Sequence, residues 1–186
     1  MITMESQTSG RRRIKRIEPT FTDYGLSFGP LTPRTITDMI VIHHTGNPED
    51  DDLSAEEIHE SHQAQGWAGI GYHYVIRKDG SIELGRPVDT VGAHAYGENS
   101  HTIGVHVCGN FNLADPTDEQ IESCAILVGW LACKYGLTVN ADTVVGHRDL
   151  MPTACPGDTL YNYLDTIRGK ANWYIAHYDD NGEYHD

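Results

Sequence analysis

The chain has 186 residues, of which 39% are hydrophobic, and its 13 Lys and Arg against 27 Asp and Glu give a formal net charge of −14. This length predicts a single domain, and the hydrophobic content excludes a wholly disordered chain. The negative charge excludes a sequence-independent nucleic-acid binder, because neutralising phosphates requires clustered Lys and Arg.

Histidine and cysteine are the informative residue types. There are 11 His, and His is the commonest metal ligand and the usual acid or base near neutral pH. The four Cys form no Cys-x-x-Cys pair, which favours reduced thiols. A basic cluster near the N-terminus is not followed by an apolar run, so we expect a solvated arm, no secretory signal and no membrane-spanning segment. That cluster is Arg11, Arg12, Arg13, Lys15 and Arg16.

The first third of the chain predicts an arm, a strand and a helix. Residues 1–35 end in a Gly- and Pro-containing stretch and are expected to form an arm and loop ahead of the core. Residues 38–43 form a short apolar run that is typical of a buried strand. Ser54 and Glu57 make a capping box for a helix that we expect to end near Gln65.

The middle of the chain predicts a hairpin. Asp79-Gly80 is a strong turn signal, and the runs at 72–76 and 82–84 flank it as two antiparallel strands. A further strand is predicted at 102–108.

The last third predicts two helices and one more strand. Thr117 and Gln120 form a second capping box, and the apolar residues that follow recur at helical spacing until Gly136. A short strand is predicted at 143–145 and a helix at 158–169. Helices and strands alternate throughout, so we expect an α/β fold, a single domain with a mixed central β-sheet flanked by α-helices.

Candidate metal ligands occur at three separated places. His43 and His44 end the first predicted strand, and His147 and Cys155 bracket a later loop. Two His and one Cys leave a fourth tetrahedral position open, as in catalytic zinc sites. Neighbouring strand residues point to opposite faces, so His43 and His44 should not both reach one metal, and the spacing does not choose between them. The alternative is one core His, one surface His and a small buried thiol.

The segment His59-Glu60-Ser61-His62 resembles a broken metalloprotease signature. Its two His are three residues apart rather than four, so they do not match the zinc-binding spacing of that helix motif. We interpret the segment as a solvated helix face.

Five short motifs occur together in the order found in one family. As a set they resemble the zinc-dependent N-acetylmuramoyl-L-alanine amidases of type 2, which share a fold with peptidoglycan recognition proteins and phage lysozyme-type endolysins. The resemblance covers residues 39–164 and implies the peptidoglycan recognition protein-like amidase fold. The motifs are Ile42-His43-His44-Thr45, Gly71-Tyr72-His73-Tyr74 before Asp79-Gly80, Gly92-Ala93-His94-Ala95, Asn99 with Ile103-Gly104-Val105, and Gly146-His147-Arg148-Asp149 through Cys155-Pro156-Gly157.

The resemblance implies a particular ligand set for Zn²⁺. It selects His43 rather than His44 as the first ligand. The other two ligands that it implies are His147 and Cys155.

The resemblance also implies roles for residues around the metal. Tyr72 matches the family's catalytic Tyr, and Thr153 is implied as a second catalytic residue, at a position where other members carry Lys. His94 and Asn99 fall in the loop that lines the substrate groove of relatives, so they are expected to bind substrate. His106 stands where some cytoplasmic relatives have Glu, and it either faces the site or packs in the core.

The implied reaction is zinc-dependent hydrolysis of the amide between N-acetylmuramic acid and L-alanine in bacterial peptidoglycan, carried out by a phage or prophage endolysin. The alternative is a non-catalytic peptidoglycan-binding module of the same fold, which the presence of Cys155 disfavours. We expect a monomer that binds no nucleic acid and does not insert into membranes. It is made in the cytoplasm and acts on the wall after release, or else is secreted by an unrecognised route. The expected divisions are an arm and loop at 1–35, the catalytic domain at 36–170 and an acidic tail at 171–186.

The net charge generates a prediction about salt. A chain with a charge of −14 gains no long-range attraction to an anionic wall, so lowering the salt concentration should not speed lysis as it does for a basic lysin. Turbidity of purified walls, followed between about 20 and 150 mM salt, measures this effect. A strong loss of activity over that range would contradict the prediction.

Overall fold

The computed structural model describes residues 19–177 and two short strands nearer the N-terminus, β1 (Ile2–Thr3) and β2 (Arg16–Ile17). These two strands pair antiparallel in a small sheet of their own. The side chains of the predicted basic arm, and residues 178–186 of the predicted tail, lie outside the described residues.

A second sheet of six strands forms the centre of the domain. Its members are β3 (Phe21–Thr22), β4 (Met39–His44), β5 (Tyr74–Ile76), β6 (Ile82–Leu84), β7 (Thr102–Val107) and β8 (Val144–Gly146). Their spatial order is β3-β6-β5-β7-β4-β8. β5 and β6 pair antiparallel across the predicted hairpin, and every other neighbouring pair in this sheet is parallel. The mixed sheet confirms the predicted fold class.

Three α-helices among the described residues flank this sheet. They are α1 (Ala55–Ala64), α2 (Asp118–Tyr135) and α3 (Asp158–His177). Both predicted capping boxes are present, because the Ser54 hydroxyl accepts from the Glu57 N–H and the Thr117 hydroxyl accepts from the Gln120 N–H, each at 3.1 Å. Gly136 ends α2 with a φ of 69°, a left-handed conformation that glycine adopts without strain.

Alternation along the strands divides the buried side chains between two faces. On β4, Ile40 and Ile42 belong to the apolar cluster beneath α2 and α3. On β5, Tyr74 and Ile76 belong to the same cluster, whereas Val75 lies in the cluster beneath α1. The sheet is therefore covered by α1 on one face and by α2 and α3 on the other.

Both ends of the domain extend further than the sequence predicted. β3 adds an edge strand beside β6 from within the segment 1–35 that was expected to be an arm and loop. α3 ends at His177 rather than near Gly169, because its buried apolar stripe continues to Ala171. The first seven residues of the expected tail at 171–186 are thus helical, while the division of the chain as a whole stays a prediction.

Candidate metal centre

Three side chains from separate segments converge at the carboxyl ends of β4 and β8. His43 lies near the end of β4, His147 directly follows β8, and Cys155 lies in the loop before α3. β4 and β8 pair in parallel with Ile42 opposite Gly146, so the residues that follow these two leave the sheet side by side. One ligand-type atom from each of the three side chains lies within 4.8 Å of the others, and His43 Nδ1 is 3.6 Å from Cys155 Sγ.

His44 points to the other face of the sheet. Its ring stacks on Phe111 beneath the long helices, at 6.1 Å between centroids, and its Nδ1 accepts from the Phe111 N–H at 3.2 Å. Its backbone N–H contributes to the cluster by donating to Cys155 Sγ at 3.4 Å. Alternation along β4 therefore leaves His43 as the imidazole that meets His147 and Cys155.

Burial controls the protonation of the three ligand candidates. Burial lowers the pKa of His43 well below its ordinary value of 6.5, and His94 and His147 lower it further. Burial also lowers the pKa of His147. Burial raises the pKa of the Cys155 thiol to about 12, against the opposing effects of the His44 N–H and of Arg148. The imidazoles are thus neutral, as ligands must be, and the thiol keeps its proton in the absence of a cation.

Tyr72 lies beside this cluster, two residues before β5. Its ring centroid is 5.1 Å from that of His43 and 4.6 Å from that of His106. Burial, and secondarily Cys155, raises its pKa above the ordinary value of 10. Tyr72 is therefore a phenol at neutral pH, and it can donate a hydrogen bond at the edge of the cluster.

Thr153 lies in the loop that presents Cys155. Its hydroxyl oxygen accepts from the Cys155 backbone N–H at 3.2 Å, which shapes the turn beneath the thiol. This bond does not use the hydroxyl proton, so a second partner can accept it.

His94 is buried within its loop, and its implied role in substrate binding stays a prediction. Only 9% of the residue is exposed, and its Nδ1 lies 2.9 Å from His43 Nε2, behind the cluster. Its Nε2 lies 3.2 Å from the Thr102 hydroxyl. The loop can turn inward here because Gly104 of β7 has no side chain, and a Cβ at that position would lie 2.6 Å from His94 Cγ.

Asn99 supports the same loop from within. It begins the short 3-10 helix Asn99–His101, and its side-chain oxygen accepts from the N–H groups of His94 at 2.8 Å and of Ala95 at 2.9 Å. The side-chain oxygen of Asn99 thus holds the backbone of its own loop, and the implied role of Asn99 in substrate binding stays a prediction.

His106 lies on the face of the sheet that carries His43 and Tyr72 rather than in the core beneath α2 and α3. It is opposite His43 in the parallel register of β7 with β4, so both side chains leave the same face of the sheet. Its Nε2 lies 2.9 Å from the Thr45 hydroxyl, and it is 2% exposed. Burial lowers its pKa to about 3, so its imidazole is neutral.

The prediction of a solvated face for His59 and His62 on α1 is wrong. His59 is buried, lies 2.9 Å from the Ser27 carbonyl oxygen and accepts from the Ile70 N–H at 3.0 Å. His62 accepts from the Gly71 N–H at 3.0 Å, and its ring centroid lies 5.8 Å from that of Tyr72. The position of His62 beside Tyr72 has no local signal in the sequence, because its partners lie in a loop that only the fold brings to α1.

Comparisons with known proteins agree with this fold and site. The N-acetylmuramoyl-L-alanine amidase family matches residues 32–158. The endolysin of Klebsiella phage KP32 is 35% identical over 140 residues, which cover 73% of this chain and 90% of that protein. The solved N-acetylmuramoyl-L-alanine amidase LysC from Clostridium intestinale is 36% identical with a TM-score of 0.75, covering 83% of this chain and 99% of that one. Drosophila PGRP-LB, at 22% identity and a TM-score of 0.71 over 80% of this chain and 94% of that one, shares the fold.

The chain belongs to the N-acetylmuramoyl-L-alanine amidase family, and phage endolysins are among its relatives. This confirms the resemblance, the enzyme class and the expected reaction, hydrolysis of peptidoglycan between N-acetylmuramic acid and L-alanine. None of the helices that the structure describes combines the length and the apolar character needed to cross a bilayer.

The contacts of His101, at the end of the short 3-10 helix, lead to a prediction about how the stability of the fold depends on pH. His101 lies 2.5 Å from Asp38 and from Glu98, and the hydrogen bond to Asp38 is the main cause that raises its pKa above 6.5. Because the pKa of His101 is higher in the folded than in the unfolded protein, protonation of His101 stabilises the fold. This stabilisation is complete below the unfolded pKa of about 6.5 and is lost as the pH rises through the pKa of the folded protein. His101→Gln should therefore lower the free energy of unfolding below about pH 6.5, by on the order of 0.5 kcal/mol because the pair is partly exposed, and have less effect above it.

Urea unfolding of both proteins between about pH 5 and 8.5 measures this difference. Asp38→Asn removes one of the two partners and should weaken the same pH dependence. A difference that stays constant with pH would show that His101 contributes no charge-dependent stability.

Proposed function

We propose that this amidase is zinc-dependent and that His43, His147 and Cys155 bind the ion. The observation that carries the proposal is the convergence of these three ligand-type atoms within 4.8 Å. The likeness to phage endolysins supports a role in lysis, in which a monomer made in the cytoplasm reaches the wall after release. A phage or prophage origin fits that role.

The donor set suits zinc. Two imidazoles and one thiolate are ligands that zinc prefers, and three protein ligands leave the fourth position open to a reactant. The 3.6 Å between His43 Nδ1 and Cys155 Sγ also fits, because a tetrahedral angle between bonds of about 2.1 and 2.3 Å spans about 3.6 Å. His147 and Cys155 are partly exposed, so substrate has access to that side of the site.

Burial and neighbouring groups of this chain set the protonation states of the three ligands. When bound there, zinc supplies a Lewis acid and an activated water molecule. Burial keeps His43 and His147 neutral, which leaves a nitrogen lone pair for the ion. Cys155 gives up its proton on binding, and the His44 N–H and Arg148 stabilise the resulting thiolate.

Tyr72 and Thr153 complete the proposed chemistry. The Tyr72 phenol keeps its proton and lies against His43, so it donates a hydrogen bond to the oxygen of the scissile amide as negative charge develops on it. Thr153 lies in the loop that presents Cys155, and its hydroxyl donates a second hydrogen bond to the same oxygen. Thr153 supplies no positive charge, so more of the stabilisation depends on the ion and on Tyr72.

The zinc requirement is tested with purified peptidoglycan. The metal-loaded protein should release soluble stem peptides that carry a new free amino group on L-alanine, and a chelator should abolish this release. Cys155→Ala should lose zinc and activity together, because two imidazoles alone bind the ion weakly. Full activity in the chelated protein would contradict the zinc requirement, and binding of peptidoglycan without release would favour the non-catalytic module.

The role of Tyr72 is tested by removing one oxygen. Tyr72→Phe should bind zinc as the unchanged protein does but lose about 10²- to 10³-fold in kcat, the usual cost of one oxyanion donor. Tyr96→Phe is a matched control, because Tyr96 is 93% exposed. An unchanged kcat in Tyr72→Phe would show that the hydroxyl takes no part in the reaction.

A further inference from the structure

We infer that His94 is a positioning residue, and that a hydrogen-bond relay from the Glu98 carbonyl through Thr102 and His94 fixes His43 in the tautomer that binds metal. The inference rests on the proposed zinc site and deepens it. It gives His94 a role different from the substrate binding that the family resemblance implies.

The hydrogen bond between Thr102 and the Glu98 carbonyl determines which atoms of the relay donate and which accept. The Thr102 hydroxyl lies 2.8 Å from the Glu98 carbonyl oxygen, which can only accept, so Thr102 donates there. A hydroxyl has one proton, and the Thr102 oxygen must then accept from its other partner. That partner is His94 Nε2 at 3.2 Å, so Nε2 carries the hydrogen.

The hydrogen on His94 Nε2 determines what the other nitrogen of the ring can do. Burial disfavours the charged form of His94, which is 9% exposed. A neutral imidazole with hydrogen on Nε2 has a bare Nδ1. His94 Nδ1 therefore accepts from His43 Nε2 at 2.9 Å.

The relay ends at the ligand atom. Because His43 carries its hydrogen on Nε2, its Nδ1 has the free lone pair, and this is the atom that lies 3.6 Å from Cys155 Sγ. Without His94, the neutral His43 ring can place its hydrogen on either nitrogen, and one of the two tautomers blocks the ligand atom.

Backbone contacts allow the His94 ring little freedom. Asn99 accepts from the N–H groups of His94 and Ala95, which fixes the loop at the root of the side chain. Cβ atoms at Gly92 and Gly104 would lie 2.7 Å and 2.6 Å from the ring, so these glycines form the slot that the ring occupies.

The neighbouring His73 offers His94 no competing hydrogen bond. His73 Nδ1 accepts from the Gly104 N–H at 3.0 Å, so its Nε2 carries the hydrogen and donates to the Thr90 carbonyl at 2.8 Å. Both of its ring nitrogens are thus used by the backbone.

The experiment compares zinc affinities, measured by competition with a chromogenic chelator, in three variants. His94→Leu removes the acceptor and should raise the zinc Kd about 10- to 100-fold, the usual cost of losing a partner of a ligating His. His94→Asn places a carbonyl oxygen near the former Nδ1 position and should recover most of the affinity. Tyr96 lies in the same loop but outside the relay, so Tyr96→Leu should bind zinc with the Kd of the unchanged protein.

A tautomer measurement covers the case in which His94→Leu fails to fold. In the unchanged metal-free protein, ring-nitrogen NMR shifts should show hydrogen on Nε2 of both His94 and His43. Hydrogen on Nδ1 of either ring would overturn the relay.

The affinities separate this inference from the zinc proposal. Failure of the unchanged protein to bind zinc would remove both. A protein that binds zinc, with the same Kd in His94→Leu, would overturn the relay alone. Equal losses in His94→Leu and His94→Asn, matched by equal losses in the unfolding free energy of the metal-free proteins, would show that the ring merely packs.

Discussion

Strand β4 is buried on both faces, and the two-residue alternation of its side chains is the constraint on which the site depends. Ile40 and Ile42 fill the core beneath α2 and α3, and this register sends His44 to the same side and His43 to the other. A slip of one residue would exchange the two imidazoles and place the apolar residues on the wrong face. The core that stabilises the fold therefore also selects the histidine that meets His147 and Cys155.

Burial then supplies the chemistry of the site. Six of the 11 histidines are joined through ring contacts in one cluster that includes Tyr72, so the surplus of histidine in the composition is concentrated here. In low-dielectric surroundings these rings are neutral, and each can accept or donate in a fixed direction. Burial, rather than the acidic surface of the protein, is the largest cause of the lowered pKa of each of these rings.

The sequence predicted the elements whose signals are local. Two capping boxes and the Asp79-Gly80 turn depend on residues a few positions apart, and the structure contains all three. The predicted helix at 158–169 is shorter than α3, which continues to His177. A Cβ at Gly169 would meet open space, so this glycine lies outside the buried stripe and does not interrupt it.

The site was less predictable, because its contacts join distant segments. The motifs brought His43, His147 and Cys155 into one proposal, and the parallel pairing of β4 with β8 explains their proximity. The inward turn of His94 depends on the missing side chain of Gly104, and the placement of His62 depends on the loop before β5. Neither contact has a local signal in the chain.

Anomalous diffraction at the zinc absorption edge, from crystals of the metal-loaded protein, tests the central claim most directly. The account predicts a single strong peak per chain, from a zinc ion that lies about 2.0 to 2.3 Å from His43 Nδ1, a ring nitrogen of His147 and the Cys155 sulfur. A peak bonded to His44, a peak that leaves out Cys155, or no peak between these three residues would contradict it.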